Sequence, residues 1–152
     1  GAAGVTQALE AIAEEGSAMG QYLLARRLQA QASRSDDQAQ TRIIELLTSA
    51  AEQGQLDAPA LLARRLEAGD SPAGTQVNRA ARLYLDAYLA GGTEARVALV
   101  DEGRERSTEV MRRVQRSLAR EGYYDLALDG KYGLNTQRGL EKALQDRLFT
   151  ER

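Results

Sequence analysis

The chain contains the stretch ALEAIAEEGSAMGQYLLARRL at residues 8–28 and a second version of it, LLTSAAEQGQLDAPALLARRL, at residues 46–66. The two align without a gap at a shift of 38 positions and share ten of twenty-one residues, six of them in the unbroken run LLARRL. A third, fainter copy places Gly91 37 residues after Gly54, followed by Ala95 and Leu99 at the same relative spacing. A period of this length between turn signals indicates one helical hairpin per repeat.

Each repeat offers two amphipathic helices. Between Gln40 and Gln53 the apolar residues recur at i, i+3, i+4, i+7 and i+8, which places them on one face of a helix. Three polar residues stand where N-caps are expected, because their side-chain oxygens can accept from the free amides of a first turn. These are Asp37, Asp57 and Asn78.

The repeated segment resembles the Sel1-like repeat family, a relative of the tetratricopeptide repeats. The resemblance lies in the run Ala50-Ala51-Glu52-Gln53-Gly54 and the following Ala58 and Leu62-Ala63. It covers roughly residues 8–103 and implies that the first helices of the hairpins, at 18–29, 57–68 and 93–102, line a concave face. The chain then opens with a second helix whose partner is missing, and we expect an excised piece of a longer solenoid. An ordinary bundle of helical hairpins is the alternative.

The last third of the chain has a different pattern. Helices are predicted at residues 108–120 and 135–148, with a turn-rich stretch at 121–133 between them. The order of Val114-Gln115-Arg116-Ser117-Leu118, Gly122-Tyr123-Tyr124, Leu128-Asp129-Gly130-Lys131-Tyr132-Gly133 and Thr136 resembles the peptidoglycan-binding domain family of small helical modules. We therefore expect an all-α chain, with a Sel1-like helical-hairpin solenoid at residues 1–105 and a peptidoglycan-binding-like unit at 106–152.

The turn-rich stretch and the start of the helix that follows it supply the candidate glycan-binding residues. Aromatic rings can cover the apolar face of a sugar while neighbouring polar groups read its hydroxyls. The candidates are Tyr123, Tyr124, Asp129, Tyr132 and Asn135. The alternative is structural, with Asp129 forming an Asx-type turn and the tyrosines packing in the core with their hydroxyls reaching outward.

Two pairs of arginines recur in register and are the candidate partner-binding residues of the concave face. They are Arg26, Arg27, Arg64 and Arg65. Guanidinium groups in such rows can clamp carboxylates of a partner peptide or of an acidic polysaccharide. The alternative is a solvated face in which the guanidinium groups pair with Glu14, Glu52 or Glu67.

Composition excludes several classes of function. The 152 residues include no cysteine and no histidine, which removes disulfides, Cys or His zinc sites and every imidazole-dependent triad. The 20 basic residues are spread among 22 acidic ones, so we expect no nucleic-acid partner. The sequence isolates no carboxyl pair such as Asp125 and Asp129 in an apolar setting, and we predict no enzymatic activity, no cofactor and no metal.

The sequence thus predicts a non-enzymatic protein–protein interaction scaffold of the bacterial cell envelope, periplasmic and part of a larger protein, with possible attachment to peptidoglycan. Any membrane association would come through a part of the protein outside this chain. Two alternatives stay open. In the first, the chain is a carbohydrate-binding module for peptidoglycan or an exopolysaccharide, whose C-terminal unit holds the glycan while the repeats merely present it. In the second, its last two helices only cap the solenoid.

Overall fold

The part of the chain that the structure describes is built from helices, which contain about 75% of its residues. The computed structural model describes residues 1–69 and 76–150, and no strand occurs within them. The all-α prediction is confirmed. The helices are α1 (Ala2–Glu14), α2 (Ala18–Gln31), α3 (Asp37–Glu52), α4 (Ala58–Ala68), α5 (Val77–Leu89), α6 (Thr93–Arg96, continued by a π-helical turn Val97–Asp101), α7 (Thr108–Arg120) and α8 (Leu134–Thr150).

Four helices end in the same glycine turn. Gly16, Gly54, Gly91 and Gly122 follow α1, α3, α5 and α7 with φ between +85° and +91°, a left-handed conformation that side chains with a Cβ rarely adopt. Each glycine N–H donates to the carbonyl three residues earlier at 3.0–3.1 Å, and the next amide donates to the carbonyl five residues earlier. This pair of bonds forms a Schellman cap, which satisfies free carbonyls and reverses the chain. The last third of the chain, whose sequence pattern differs, therefore shares this cap with the repeats, because it recurs at Gly122.

The helix starts differ from the expected N-caps. Asp36 rather than Asp37 caps α3, and its carboxylate accepts a first-turn amide at 3.1 Å. Asp57 occupies the N-cap position of α4 without capping it, because its Oδ1 accepts the amide of Glu94 at 3.2 Å. Asn78 lies within α5 and is exposed. Asp57 thus joins the start of α4 to the start of α6.

The two LLARRL segments lie in α2 and α4 with matching burial. Leu24 and Ala25 in α2 and Leu62 and Ala63 in α4 are each at most 1% exposed. The first segment packs between α1 and α3 and the second between α3 and α5. The same buried cluster continues through α5 and α7 to Ala143 in α8, so the two predicted domains share one core.

A buried ion pair fixes the junction between these two parts. Arg106 and Glu67 are 3.2 Å apart, with side chains only 7% and 12% exposed. Tyr84 donates to Glu67 and accepts from Arg106, whose guanidinium lies 5.2 Å from the centre of the tyrosine ring. The second Glu67 oxygen accepts the amide of Ser107 at 2.9 Å, so this carboxylate holds the N-cap residue of α7. Burial raises the pKa of Tyr84, which keeps its hydroxyl protonated in this network.

We predict that Glu67→Ala lowers the free energy of unfolding by about 3 kcal/mol, because it leaves the Arg106 charge buried and unpaired. Urea unfolding followed by circular dichroism measures the loss. Replacing both partners, Glu67→Leu with Arg106→Met, recovers much of it, since no buried charge remains. Glu10→Ala is the matched control: Glu10 pairs with Arg42 at the surface, and its loss costs about 1 kcal/mol or less. A cost for Glu67→Ala no larger than that of the control contradicts the role given to this pair.

Candidate functional site

The stretch between α7 and α8 is organised around one glutamine. Gln115 in α7 is fully buried, and its amide oxygen accepts the amide of Gly130 at 2.8 Å. Its Nε2 donates to the carbonyl of Lys131 at 3.0 Å, to Thr136 at 3.2 Å and to Asp129 at 3.3 Å. A buried amide that bonds three residues of one loop and the first turn of α8 fixes the path of that loop. The residues of the C-terminal sequence motif therefore meet in space around Gln115.

Asp129 forms the turn at the centre of this network. Its Oδ1 accepts the amide of Lys131 at 2.9 Å, the bond of an Asx turn, and also accepts from Gln115. The bond from the Lys131 amide is the main reason that the pKa of Asp129 lies below its usual value, and the Gln115 contact adds to the effect. The carboxylate thus stays ionised and fixed in place.

The three tyrosines of the loop have different surroundings. Tyr124 is nearly buried and donates to the carbonyl of Ala127 at 2.8 Å, whereas Tyr123 is half-buried and donates to Asp146 in α8 at 2.9 Å. Donation to Asp146 raises the pKa of Tyr123. Tyr132 packs its ring on Gly103, where a Cβ would come within 2.6 Å of the ring. Its hydroxyl oxygen is buried and makes no hydrogen bond to any residue of the described chain.

Two neighbouring surface clefts bring the predicted glycan-binding residues together. One cleft, of about 470 Å³, is lined by Tyr123, Tyr124 and Asn135 together with polar residues of α8. The other, of about 450 Å³, is lined by Tyr124, Asp129, Tyr132 and Asn135. Tyr124 and the exposed Asn135 belong to both. The clefts combine aromatic surface with amide, carboxylate and cationic groups, which is the chemistry that sugar recognition uses.

The two arginines of the first pair have different surroundings, because one faces solvent and the other contacts α1. Arg26 is exposed, with its guanidinium 5.7 Å from the centre of the Tyr22 ring. Arg27 turns toward the start of α1, where it donates to Thr6 at 2.8 Å and to the carbonyl of Ala2 at 3.0 Å. Arg26 is therefore available to a partner, whereas Arg27 holds α1 against α2.

The second pair lies on α4 and is half-buried. Arg64 forms a 2.7 Å ion pair with Glu102 at the end of the π-helical turn. Glu102 is not one of the glutamates that the sequence suggested as partners. It lies at the end of the helical segment that continues α6. The Nε atom of Arg65 is buried. The sequence placed these arginines in register, and the structure gives Arg64 a role in joining α4 to the segment after α6.

A basic cleft between α5 and α7 was not predicted. It has a volume of about 400 Å³ and is lined by four arginines, among them Arg82 in α5 and Arg113 in α7. The sequence signal was the spacing of arginines at 113, 116 and 120, which places them along one side of a helix. The composition did not reveal this cluster of arginines, because basic residues also occur throughout the rest of the chain.

In the parts of the chain that the structure describes, no group of three or more acidic side chains is placed to hold a metal ion. None of the helices described is long and apolar enough to span a membrane. Comparison of the chain with protein-family models, with curated proteins and with solved structures gave no match.

We predict that Gln115→Leu destabilises the protein by about 3 kcal/mol, because it leaves the Gly130 amide and the Lys131 carbonyl buried without partners. Gln137→Leu makes the same chemical change at a glutamine whose hydrogen bond to Glu141 is exposed, and it shifts stability by about 0.5 kcal/mol or less. Urea unfolding measures both. Wild-type stability in Gln115→Leu would show that the loop is held by other contacts.

Proposed function

We propose that this chain is a non-enzymatic protein–protein interaction scaffold of the bacterial cell envelope, built as a Sel1-like helical solenoid with a small peptidoglycan-binding-like unit at its C-terminal end. The order of helices supports this proposal. Helices that end in the same glycine cap alternate with α2, α4 and α6, and each of α2 and α4 packs between two of the capped helices. Stacked hairpins of this kind present an extended surface that suits a protein partner.

One exposed stripe on α2 is the observation that carries the partner-binding proposal. Met19 and Leu23 are 54% and 38% exposed, and with Arg26 they follow one another at i, i+4 and i+7 on one side of the helix. Methionine and arginine are enriched in protein interfaces, and exposed apolar side chains in a row favour a partner over bulk water. In the Sel1-like arrangement this helix is a first helix and faces the concave side.

The environment of the carboxylates supports a non-enzymatic role. A general acid needs a carboxyl whose pKa is raised toward neutrality. Asp129 has its pKa shifted the opposite way by the bond from the Lys131 amide, and its oxygen is used in the turn. Periplasmic localisation rests on the combination of a repeat scaffold with a wall-binding-like unit.

We expect a photo-crosslinking amino acid at Met19 or Leu23, introduced into the protein in bacterial cells, to capture one and the same protein, identified by mass spectrometry. Arg26→Glu reduces the yield at Leu23 about tenfold, because it places a repulsive charge beside the apolar contact. Val5, which is 48% exposed on α1, is the matched control position and gives no such adduct. Capture of the same protein at Val5 alone, or at neither α2 position, overturns this choice of surface.

Glycan binding by the C-terminal unit is a second candidate function, favoured by the two clefts that share Tyr124 and Asn135. Tyr124 and Asp129 serve the fold of the loop through their bonds to Ala127 and Lys131. Asn135 is exposed, so its amide is the group best placed to read a sugar hydroxyl without a structural duty.

We predict that the purified protein is retained by isolated peptidoglycan sacculi and that Asn135→Ala lowers the retained fraction about tenfold, because a hydrogen bond to the glycan is lost. Gln145→Ala, which removes an exposed amide from the same helix outside both clefts, leaves retention unchanged. Co-sedimentation followed by gel densitometry measures both. Absence of wild-type retention removes peptidoglycan binding and leaves the C-terminal helices with a capping role.

A further inference from the structure

The groove between α5 and α7 is lined by basic side chains from both of its walls. Two helices whose glycine caps match form these walls, and they pack directly against each other. The residues that line it include Asn78, Ala81 and Arg82 from α5 and Arg113, Arg116 and Arg120 from α7. Small side chains at its base, such as Ala81, leave room for a ligand to approach between the rows of guanidinium groups.

The arginines of this groove have no acidic partner, in contrast to four other arginines that the structure describes. Arg42, Arg64, Arg106 and Arg112 each form an ion pair with a glutamate. Within the described residues no salt bridge or hydrogen bond engages the guanidinium groups of the four groove arginines, and no carboxylate lines the groove. The Nε atom of Arg113 is buried there without a hydrogen-bond partner. Four like charges held together favour an anion that neutralises them.

The shape and composition of the groove favour an acidic peptide. Arg113, Arg116 and Arg120 extend over about 10 Å of α7, in steps of about 5 Å. This step matches carboxylates at i, i+3 and i+7 of a helix, and it is close to the spacing of about 6.6 Å between alternate residues of a strand. No aromatic side chain lines the groove, whereas single-stranded nucleic acids bind on aromatic stacking platforms. Guanidinium groups bind carboxylates in pairs of parallel hydrogen bonds, which gives such a peptide both affinity and register.

We propose that the groove between α5 and α7 binds an acidic segment of a protein partner through Arg82, Arg113, Arg116 and Arg120. This site is distinct from the apolar stripe of α2. It lies between two helices that end in the glycine cap, and it recognises charge. It rests on the proposed scaffold function only in so far as the natural ligand is a protein. A scaffold with both surfaces holds two partners, or two parts of one partner, at the same time.

The test is fluorescence anisotropy with a short labelled peptide of alternating glutamate and serine, added to the whole chain at low salt. We expect saturable binding that weakens steeply as sodium chloride is added. Arg113→Glu with Arg116→Glu lowers the affinity by at least about tenfold, because two attractive contacts become repulsive. The matched control is Arg96→Glu with Arg104→Glu, which changes the net charge equally at two exposed arginines outside the groove and leaves the affinity within about twofold. Circular dichroism verifies that both variants are folded.

Three outcomes overturn the proposal. The wild-type chain does not bind the peptide, or the two double variants lose affinity equally, which shows attraction to net charge alone. In the third, inorganic phosphate or a polyuronate binds in the groove while the peptide does not, which assigns a different class of anion. Each result is independent of crosslinking at Leu23. Loss of crosslinks with intact peptide binding rejects the proposed α2 surface, and the reverse pattern rejects only the groove.

Discussion

The structure depends on a backbone reversal that only glycine makes without strain. Four helices end in a left-handed glycine with the same pair of amide-to-carbonyl bonds, at Gly16, Gly54, Gly91 and Gly122. Because φ is near +90° at each of these points, the chain reverses locally at the end of each of these helices. The apolar faces of successive helices then meet in one continuous core, and long-range contacts follow from a repeated local geometry.

Much of this architecture could be predicted because the determining signals are local. The glycines, the apolar spacing and the LLARRL run all act within one or two turns of helix, so the sequence alone locates the helices within a few residues. The caps were harder to predict. Asp57 looks like an N-cap of α4, yet its carboxylate accepts the amide of Glu94, which is distant in sequence. An acceptor near a helix start goes to whichever free amide the tertiary structure brings closest, and spacing along one segment does not show that competition.

The candidate sites show the same division between local and tertiary information. The candidate glycan-binding residues lie close together in sequence, and the structure places them around two adjoining clefts. The pairing of Arg64 with Glu102 and the groove that Arg82 forms with α7 require segments about 30–40 residues apart to meet, in line with the repeat period. Residue type gave the chemistry of each side chain, while its availability to a ligand depended on which partners the fold supplied.

The distribution of ion pairs explains how a chain with a net charge of −2 holds a strongly basic groove. Glutamates form ion pairs where two helical segments join. Glu67 links α4 to the start of α7, and Glu102 binds Arg64. An arginine without such a partner, such as Arg116, keeps its charge available because burying it unpaired would cost more than leaving it at a solvent-facing groove. Net charge therefore says little about recognition in this protein. What matters is which charges the packing of the helices neutralises, and in the groove between α5 and α7 it leaves four neighbouring arginines uncompensated.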